Sequence, residues 1–582
     1  MPDCPFNPAA ENIADLIYRF GSLQFERWNN TSSLCADYVS SDYIILHMPL
    51  TPDAVSMRVH PYYMIPSLFS PLDYNAMEAS GILSAFNSPA LNNQGKGVLI
   101  GLVDTGIDYR SPLFQNPNGT TRIAGIWDQS VPIEEDVLPA GVPDYYPMGG
   151  ASYGTEYTRE QINKALASDD PLSLVPTQDT IGHGTFLAGL AAGSSIPQED
   201  FTGAAPEAEL AVVKLKPAKK YLRDFYLIPS DAPAFQENDI MMGIKYLRMM
   251  ADRLKKPLVI LLAMGSNSGS HIGTSPLSQV TQNYSGFFGI ITVIAGGNET
   301  GAAHHFYASI PAGTEYEDVE IRVGKEEAER GFVLELWAAD ADTYTVGFIS
   351  PSGERISRIP IIANNETSIP FLLDATTITV NYQLIEAESG SQLIFMRFQT
   401  PAAGIWTVRV YNTQRFKGTF HMWLPVQGMI SEETVFLRPD PYSTITVPGN
   451  SRLPITVGAY DTSTGGIYIH SSRGFTPNQI VKPELAAPGV NILGPSVGRK
   501  PGTDTPMTTR TGTSAAAAIT AGAAANLLGW GIVEGNYPTM SEASVKSYLI
   551  RGAQRNPALT YPNREFGYGT LDLFQTFLRL RE

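Results

Sequence analysis

The chain has 582 residues, of which 43% are hydrophobic and 17% are charged, and its formal net charge is −17. This length predicts two or three folded units, and the composition excludes a disordered chain. The acidic balance argues against a nucleic-acid partner, because phosphate backbones repel a negative surface. The two cysteines, Cys4 and Cys35, cannot build a disulfide framework or a cysteine-based zinc cluster. A bond between them would staple only the N-terminal segment, and we expect ordinary thiols.

Residues 1 to about 66 are predicted to form a small α+β unit, with a helix over 10–20 and a strand over 42–49. The first residues lack the positive n-region and apolar h-region of a secretory signal, so synthesis in the cytoplasm is expected. No run approaches about 18 apolar residues, and no membrane span is expected. Between residues 60 and 74, Pro61, Pro66 and Pro71 favour extended backbone.

From residue 95 onward, apolar strands alternate with helical patterns. Continuous apolar runs, typical of strands covered on both faces, occupy 97–103, 210–215, 258–263 and 290–295. Helices are predicted between them over 183–193 and 239–254. This alternation predicts a parallel sheet with helices on both sides, which is a three-layer α/β fold.

The pattern changes after Gly301, where short alternating strands are separated by turns such as Pro351-Ser352-Gly353. This pattern predicts an inserted β-sandwich, of jelly-roll type, without helices. Its strands are expected at 318–323, 332–338, 344–349, 393–398, 405–411 and 419–424. Near Leu453 the α/β pattern returns, with a strand over 454–459 and helices over 513–528 and 541–551. The predicted units are 1–66, 67–301, 302–445 and 446–582.

Three short segments carry chemistry: Asp104 ends an apolar strand in VDTGID, His183 begins a helix in GHGTFLAG, and Ser514 begins another in TGTSAAAAITAG. A serine hydroxyl needs a base, histidine is the base that titrates near neutrality, and a buried carboxylate orients the imidazole. Taken singly, Asp104 and Ser514 suit helix caps, and His183 suits a core or capping histidine. Their joint occurrence favours a catalytic triad.

The segments VDTGID, GHGT and GTSAAA resemble the three signatures of the subtilase family of serine endopeptidases. Asn298 closes a segment that resembles the family's oxyanion site, and the resemblance implies that its amide and the N–H of Ser514 bind the oxyanion. The helix after Ser514 departs from the family, with alanines and Ile519 where Met, Pro and His are frequent. The resemblance also implies substrate-binding residues, namely Ala263, Met264, Gly265, Ser266, Ala295, Gly296 and Gly297.

The insert between Asn298 and Ser514, together with the N-terminal unit, resembles the Csp germination proteases of spore-forming clostridia. That resemblance implies a protein substrate, the precursor of a spore-cortex lytic enzyme, and packaging into the spore. It implies that the N-terminal unit is the chain's own propeptide, which is cleaved between about residues 61 and 73. No cofactor is expected, and no metal, because His304-His305 has no acid or cysteine at ligand spacing.

Two other functions stay open at this stage. The chain could be a catalytically silent subtilase scaffold that senses a germinant or binds a partner protein. Alternatively, the β-sandwich could be the working part, as a carbohydrate or protein adhesion module. The N-terminal unit also has a plainer interpretation as a structural subdomain.

Overall fold

The computed structural model describes residues 6–19, 35–40, 42–51, 56–71, 78–88, 91, 93–132, 153–196, 201–339, 341–362, 366–498 and 506–580. Its central element is an eight-stranded sheet in which seven neighbouring strands are parallel and the last is antiparallel. In spatial order the strands are Leu485–Pro488, Ile455–Tyr460, Ile290–Ala295, Leu258–Leu262, Leu99–Asp104, Glu209–Lys214, Ile123–Asp128 and Thr155–Thr158.

Both faces of this sheet are covered, which explains why its strands are continuous apolar runs. One hydrophobic core includes the helices His183–Ala192 and Thr513–Leu528, and a second core on the other face includes Glu237–Leu254 and Pro276–Ser285. The predicted three-layer α/β fold is therefore confirmed. The helices of the described residues are Ile82–Phe86, Arg159–Leu166, Pro171–Leu174, His183–Ala192, Lys220–Tyr226, Glu237–Leu254, Pro276–Ser285, Glu327–Arg330, Thr513–Leu528, Glu542–Gly552 and Leu573–Arg579.

The N-terminal unit contains a three-stranded antiparallel sheet of Ile13–Arg19, Ala36–Tyr38 and Tyr43–Pro49. The helix predicted over 10–20 is wrong, because the residues that the structure describes there form the first of these strands. The first five residues of that strand are all buried, and such an unbroken buried run has no period that separates a strand from a helix. Cys35 is disulfide-bonded, so the expectation of free thiols is wrong for this residue.

The region after Gly301 contains two antiparallel sheets that share one hydrophobic core, which is the predicted β-sandwich. The sheet order leaves the jelly-roll topology unconfirmed, and one helical turn, Glu327–Arg330, departs from the helix-free expectation. One sheet has, in spatial order, His305–Ser309, Thr419–Trp423, Phe332–Ala338, Leu393–Gln399, Thr376–Gln383 and Glu366–Phe371. The other has Arg355–Ile356, Thr343–Ile349, Gly404–Gln414, Tyr316–Val323 and Val435–Phe436.

A further hydrophobic cluster joins the three parts of the chain. It contains residues of the N-terminal unit such as Tyr62 and Ile65, residues of the α/β part such as Tyr221, and residues of the sandwich such as Trp337 and Phe395. The rings of Tyr62 and Trp337 meet edge to face with centroids 5.7 Å apart. The sandwich is thus packed into the protein and is not a module on a linker.

The segment Thr513–Val533 is, among the described residues, long and apolar enough to cross a membrane by length and composition. In this protein 83% of its most apolar window is buried. It consists of the Thr513–Leu528 helix and its π-helical continuation, Gly529–Val533, and it lies in the core of the α/β part. Burial by protein accounts for its apolar composition.

Trp406 tests the packing of the sandwich core. Its side chain is fully buried there and its Nε1–H donates to the carbonyl of Ala402 at 2.8 Å. Trp406→Ala should lower the free energy of unfolding by about 3–5 kcal/mol, because the cavity cannot close completely. Chemical denaturation measures this change. The neighbouring Ile405 is 50% exposed, so Ile405→Ala should change stability by less than about 0.5 kcal/mol. Equal losses in the two variants would contradict the assignment.

Candidate active site

A buried carboxylate and an imidazole meet at the carboxyl end of the central sheet. Asp104 is the last residue of its strand, and its Oδ1 lies 2.7 Å from Nδ1 of His183, the first residue of a helix. Both side chains are almost fully buried. Asp104 Oδ1 also accepts from the N–H of Thr105 at 2.7 Å. The carboxylate therefore fixes the tautomer that leaves Nε2 of His183 able to take up a proton.

A third side chain, Asp179, holds the two segments together, and the sequence analysis did not identify it. Its Oδ1 accepts from the hydroxyl of Thr105 at 2.8 Å and from the N–H groups of Ile181 and Gly182. Its Oδ2 accepts from the N–H and the hydroxyl of Thr185, at 2.8 and 2.7 Å. One buried carboxylate thus binds the residue after Asp104 and the first turn of the His183 helix. The detectable signal was an acid four residues before a histidine that begins a helix.

The helix start and the strand end also approach closely through glycine. Gly182, which precedes His183, has φ 82° and provides no side-chain cap, so Asp179 supplies the missing acceptor. The N–H of Gly184 donates to the Thr105 hydroxyl at 2.9 Å. A Cβ at Gly184 would lie 2.2 Å from the carbonyl oxygen of Gly106. Gly184 is therefore required by this contact, and Gly182 by its positive φ.

Asn298 and Ser514 lie at a second junction beside this pair. Oδ1 of Asn298 accepts from the N–H of Thr513 at 3.0 Å, and the N–H of Gly297 donates to the Thr513 hydroxyl at 3.1 Å. This leaves the amide N–H₂ of Asn298 as the donor end. Ser514 is in the first turn of the Thr513–Leu528 helix, where backbone N–H groups have no intrahelical acceptor. That helix packs against the His183–Ala192 helix.

The Ser514 hydroxyl is buried and has no hydrogen-bond partner among the described residues. The structure therefore brings Asp104 and His183 into contact and joins Asn298 to the Ser514 helix. A serine–histidine hydrogen bond is not recorded within the described part of the chain. Such bonds are often long until a substrate is bound.

The strand predicted to bind substrate is paired with the chain's own N-terminal part. Met264–Gly265 pairs antiparallel with Leu68–Pro71, which on its other edge pairs with Phe235–Gln236. The side chains of Leu68 and Phe69 are buried in two different hydrophobic clusters. Residues 72–77 lie outside the described residues. An extended segment of this chain therefore fills the groove between the two strands.

The remaining predicted site residues are placed around this groove. Ala263 precedes the groove strand, and Ser266 leaves it to pair with Val447 after the sandwich. Ala295 ends a sheet strand, the Gly296 N–H donates to a sheet carbonyl at 2.9 Å, and the Gly297 N–H is bound by Thr513. These last three position Asn298, and their contact with a substrate stays a prediction. Within the described ranges no group of three or more His, Cys, Asp or Glu could hold a metal ion.

The α/β fold, with its carboxylate–imidazole pair at the sheet edge and an asparagine beside a serine-bearing helix, defines the subtilisin-like class of proteins. The subtilase (Peptidase S8) family model matches residues 95–349 and 438–569, and the chain belongs to this family. The solved structure of the Clostridium perfringens CspB protease is similar, with a TM-score of 0.73 and 30% sequence identity. That similarity covers 87% of this chain and 97% of that one.

Curated relatives include two subtilisin-like proteases of Arabidopsis thaliana. SBT3.12 is 24% identical over 485 residues, which are 81% of this chain and 59% of that protein. SBT3.5 is 23% identical over 545 residues, which are 87% of this chain and 64% of that protein. The chain thus spans about three fifths of the length of these relatives.

Asp179→Asn tests the clamp, by which we mean the hydrogen bonds of Asp179 to Thr105 and to the start of the His183 helix. Asparagine offers one acceptor oxygen and one N–H₂, so the amide nitrogen must face either the donors from Thr105 and Gly182 or those from Thr185. We expect peptide hydrolysis per folded molecule to fall by about 10²-fold, the cost of a misplacement of about 1 Å. The rate, normalised by active-site titration, is the measurement. Asp170 is exposed, and Asp170→Asn is the matched control. An unchanged rate in Asp179→Asn would show that the clamp does not set the geometry.

Proposed function

We propose that the chain is a subtilisin-type serine endopeptidase that cleaves its own N-terminal propeptide. The observation that carries this proposal is the 2.7 Å bond between Asp104 and His183 beside a groove already filled by Leu68–Pro71. In the proposed mechanism Ser514 attacks the peptide carbonyl and forms an acyl-enzyme, while His183 accepts and returns the proton. Asp104 orients His183 and stabilises its charged form, and water then hydrolyses the ester.

The developing oxyanion is expected to lie between the Asn298 amide and the N–H of Ser514. The hydrogen bond from Thr513 to Oδ1 of Asn298 supports this role, because it directs the N–H₂ end of the amide away from the protein. Donors fixed in advance stabilise charge without reorganisation, and the loss of one typically costs about 10²–10³ in rate. Asn298 is only partly buried, which leaves that end accessible to a substrate.

The N-terminal unit acts as a propeptide in this proposal, and its last described strand occupies the non-primed side of the cleft. Pairing of Ser70 with Gly265 and of Pro71 with Met264 supports a scissile bond after Pro71. Main-chain hydrogen bonds on both edges of this strand hold it whatever its side chains are. The propeptide should therefore inhibit the site after cleavage for as long as it stays bound.

A buried charge cluster (Asp15, Asp37, His47 and Lys219) attaches the N-terminal unit to the α/β part. Asp15 Oδ1 lies 2.8 Å from His47 Nδ1, and Asp15 Oδ2 lies 2.8 Å from Lys219 Nζ. Asp37 Oδ2 is 3.2 Å from His47 Nε2. Gln236, whose strand borders the groove, also donates to Asp15 at 3.0 Å. The removal of one partner would leave an uncompensated buried charge, so this attachment supports retention of the cleaved propeptide.

Ser514→Ala tests self-cleavage. The variant should keep an intact N-terminus, because turnover falls by about 10⁶ when the nucleophile is removed. N-terminal sequencing of the purified wild-type protein should give a new first residue within 72–74. The conservative control Ser514→Thr keeps a hydroxyl at the same position in the first helical turn. It tests whether a hydroxyl alone suffices for self-cleavage. Processing in Ser514→Ala at the wild-type rate would overturn the assignment.

The charge cluster predicts how propeptide retention depends on pH. Burial disfavours the charged ring, but hydrogen bonds to Asp15 and Asp37, with their negative charges, outweigh it and raise the pKa of His47 to about 9. A raised pKa gives a contribution that is complete below the free histidine value of about 6.5 and is lost as pH rises through about 9. That contribution is about 3 kcal/mol.

A propeptide that unfolds on release loses this contribution, so the fraction that co-elutes with the protease in size-exclusion chromatography should fall between pH 6.5 and 9.5. His47→Gln removes the titrating group, and its retention should be weaker but flat over this range. Retention that is independent of pH in the wild-type protein would contradict the role of His47.

The similarity to the CspB protease supports a narrower proposal for the substrate. We propose that the released enzyme activates a protein precursor, by analogy a spore-cortex lytic enzyme during germination, and that the chain is packaged into the spore. Cleavage of a purified candidate precursor by the wild-type protein, and its absence with Ser514→Ala, is the test. Cleavage by both proteins would assign the activity to a contaminant.

A catalytically silent scaffold is the second candidate, and the filled groove is the observation that favours it. If the N-terminal unit never leaves the groove, the protein binds a partner or a germinant without hydrolysis. A fluorophosphonate probe separates the two functions after the propeptide has been removed. Labelling of Ser514 supports the peptidase, and no labelling of a folded, propeptide-free protein supports the scaffold.

A further inference from the structure

Glu299, the residue after Asn298, is a buried carboxylate that joins three parts of the chain. Its Oε2 accepts from Nδ2 of Asn267 and from Nδ1 of His304, each at 3.0 Å. Its Oε1 accepts from the backbone N–H of Gln427 at 3.1 Å. The side chain of Glu299 is 2% exposed. Both carboxylate oxygens are therefore used inside the protein and are not directed towards solvent.

Two of these three donors, Asn267 and Gln427, come from segments with different roles. Asn267 follows the groove strand Met264–Gly265 by two residues, so its position bears on the substrate-binding edge. Gln427 belongs to the sandwich loop between the strands Thr419–Trp423 and Val435–Phe436. Glu299 itself is fixed by its own N–H, which donates to the Ser472 hydroxyl at 3.0 Å.

A second contact from the sandwich reaches the oxyanion residue directly. The side-chain amide of Gln427 donates to the carbonyl oxygen of Asn298 at 3.1 Å. Asn267 also donates to the carbonyl oxygen of Leu424 at 3.2 Å, at the start of the same loop. The backbone of Asn298 is thus bound from the sandwich on one side, while its Oδ1 is bound by Thr513 on the other.

We propose that Glu299 is a positioning residue through which the inserted sandwich holds Asn298 in place. The proposal rests on the proposed function, in which Asn298 binds the oxyanion. Glu299 touches neither substrate nor the reacting atoms, and it acts by fixing the backbone from which the Asn298 amide projects. The sandwich is then part of the catalytic apparatus, because without this loop the two Gln427 contacts to residues 298 and 299 are absent.

Glu299→Gln is the primary variant, because glutamine keeps the shape but has one oxygen and one N–H₂. The amide nitrogen must face either the Gln427 N–H or the donors from Asn267 and His304, and that side loses its hydrogen bonds. The readout is the first-order rate of self-cleavage of the refolded full-length chain. This step is intramolecular and is independent of substrate affinity.

A double-mutant cycle distinguishes positioning from general destabilisation. Glu299→Gln should slow self-cleavage at least about 10-fold in the wild-type background and less than twofold in the Asn298→Ala background. A substitution that only destabilises the fold would slow self-cleavage by the same factor in both backgrounds. That result, or no slowing at all, would overturn the proposal. Glu327→Gln is the matched control, since Glu327 is also buried and accepts from the N–H of Ser431 at 3.0 Å, away from the site.

Gln427→Ala keeps the test decisive if Glu299→Gln does not fold. Gln427 is exposed, and this substitution removes the contact to the Asn298 carbonyl while leaving the backbone N–H bound to Glu299. It should slow self-cleavage about threefold, again only when Asn298 is present; an equal effect in Asn298→Ala would count against the proposal.

A chain that never self-cleaves would refute the proposed function but would still leave the positioning role testable. Crystal structures of the wild-type protein and Glu299→Gln then compare the Asn298 side chain, which should lose its contact with Thr513. An unmoved Asn298 would overturn the positioning role.

Discussion

The candidate site depends on one short hydrogen bond, between the carboxylate of Asp104 and the imidazole of His183. The two residues come from a strand end and a helix start, and neither element alone fixes their separation. A buried carboxylate next to a histidine is useful only when the distance is set within a fraction of an ångström. Asp179 sets it by binding backbone and hydroxyl groups from both elements, and Gly184 allows the close approach.

The sandwich has an unusual relation to this site. It is inserted between Asn298 and Ser514, so the chain must leave the α/β part and return to it within reach of the oxyanion segment. Two buried glutamates connect these regions. Glu335 accepts from the Tyr62 hydroxyl of the N-terminal unit at 2.6 Å and from the N–H of Gly269 near the groove at 2.9 Å. Glu299 makes a second connection through Asn267, two residues before Gly269.

Much of this architecture can be predicted from the sequence because its signals are local. The strands near Asp104 and before Asn298 are unbroken apolar runs, and the helix at Ser514 begins and ends where its small residues predict. The first strand was mistaken for a helix because both of its faces are buried. Asp179 and Glu299 were missed for another reason: the donors that join them to a second element lie far away in sequence, Thr105 for Asp179 and Asn267 and Gln427 for Glu299.

The strand that fills the groove belongs to the same polypeptide as the groove. Its local concentration is therefore set by the covalent connection and by the contacts of the N-terminal unit, and not by how much protein is present. While the connection is intact, dilution cannot empty the groove, and an external peptide competes at a severe disadvantage as long as the unit stays docked. Access to the groove consequently depends on the contacts that dock the N-terminal unit.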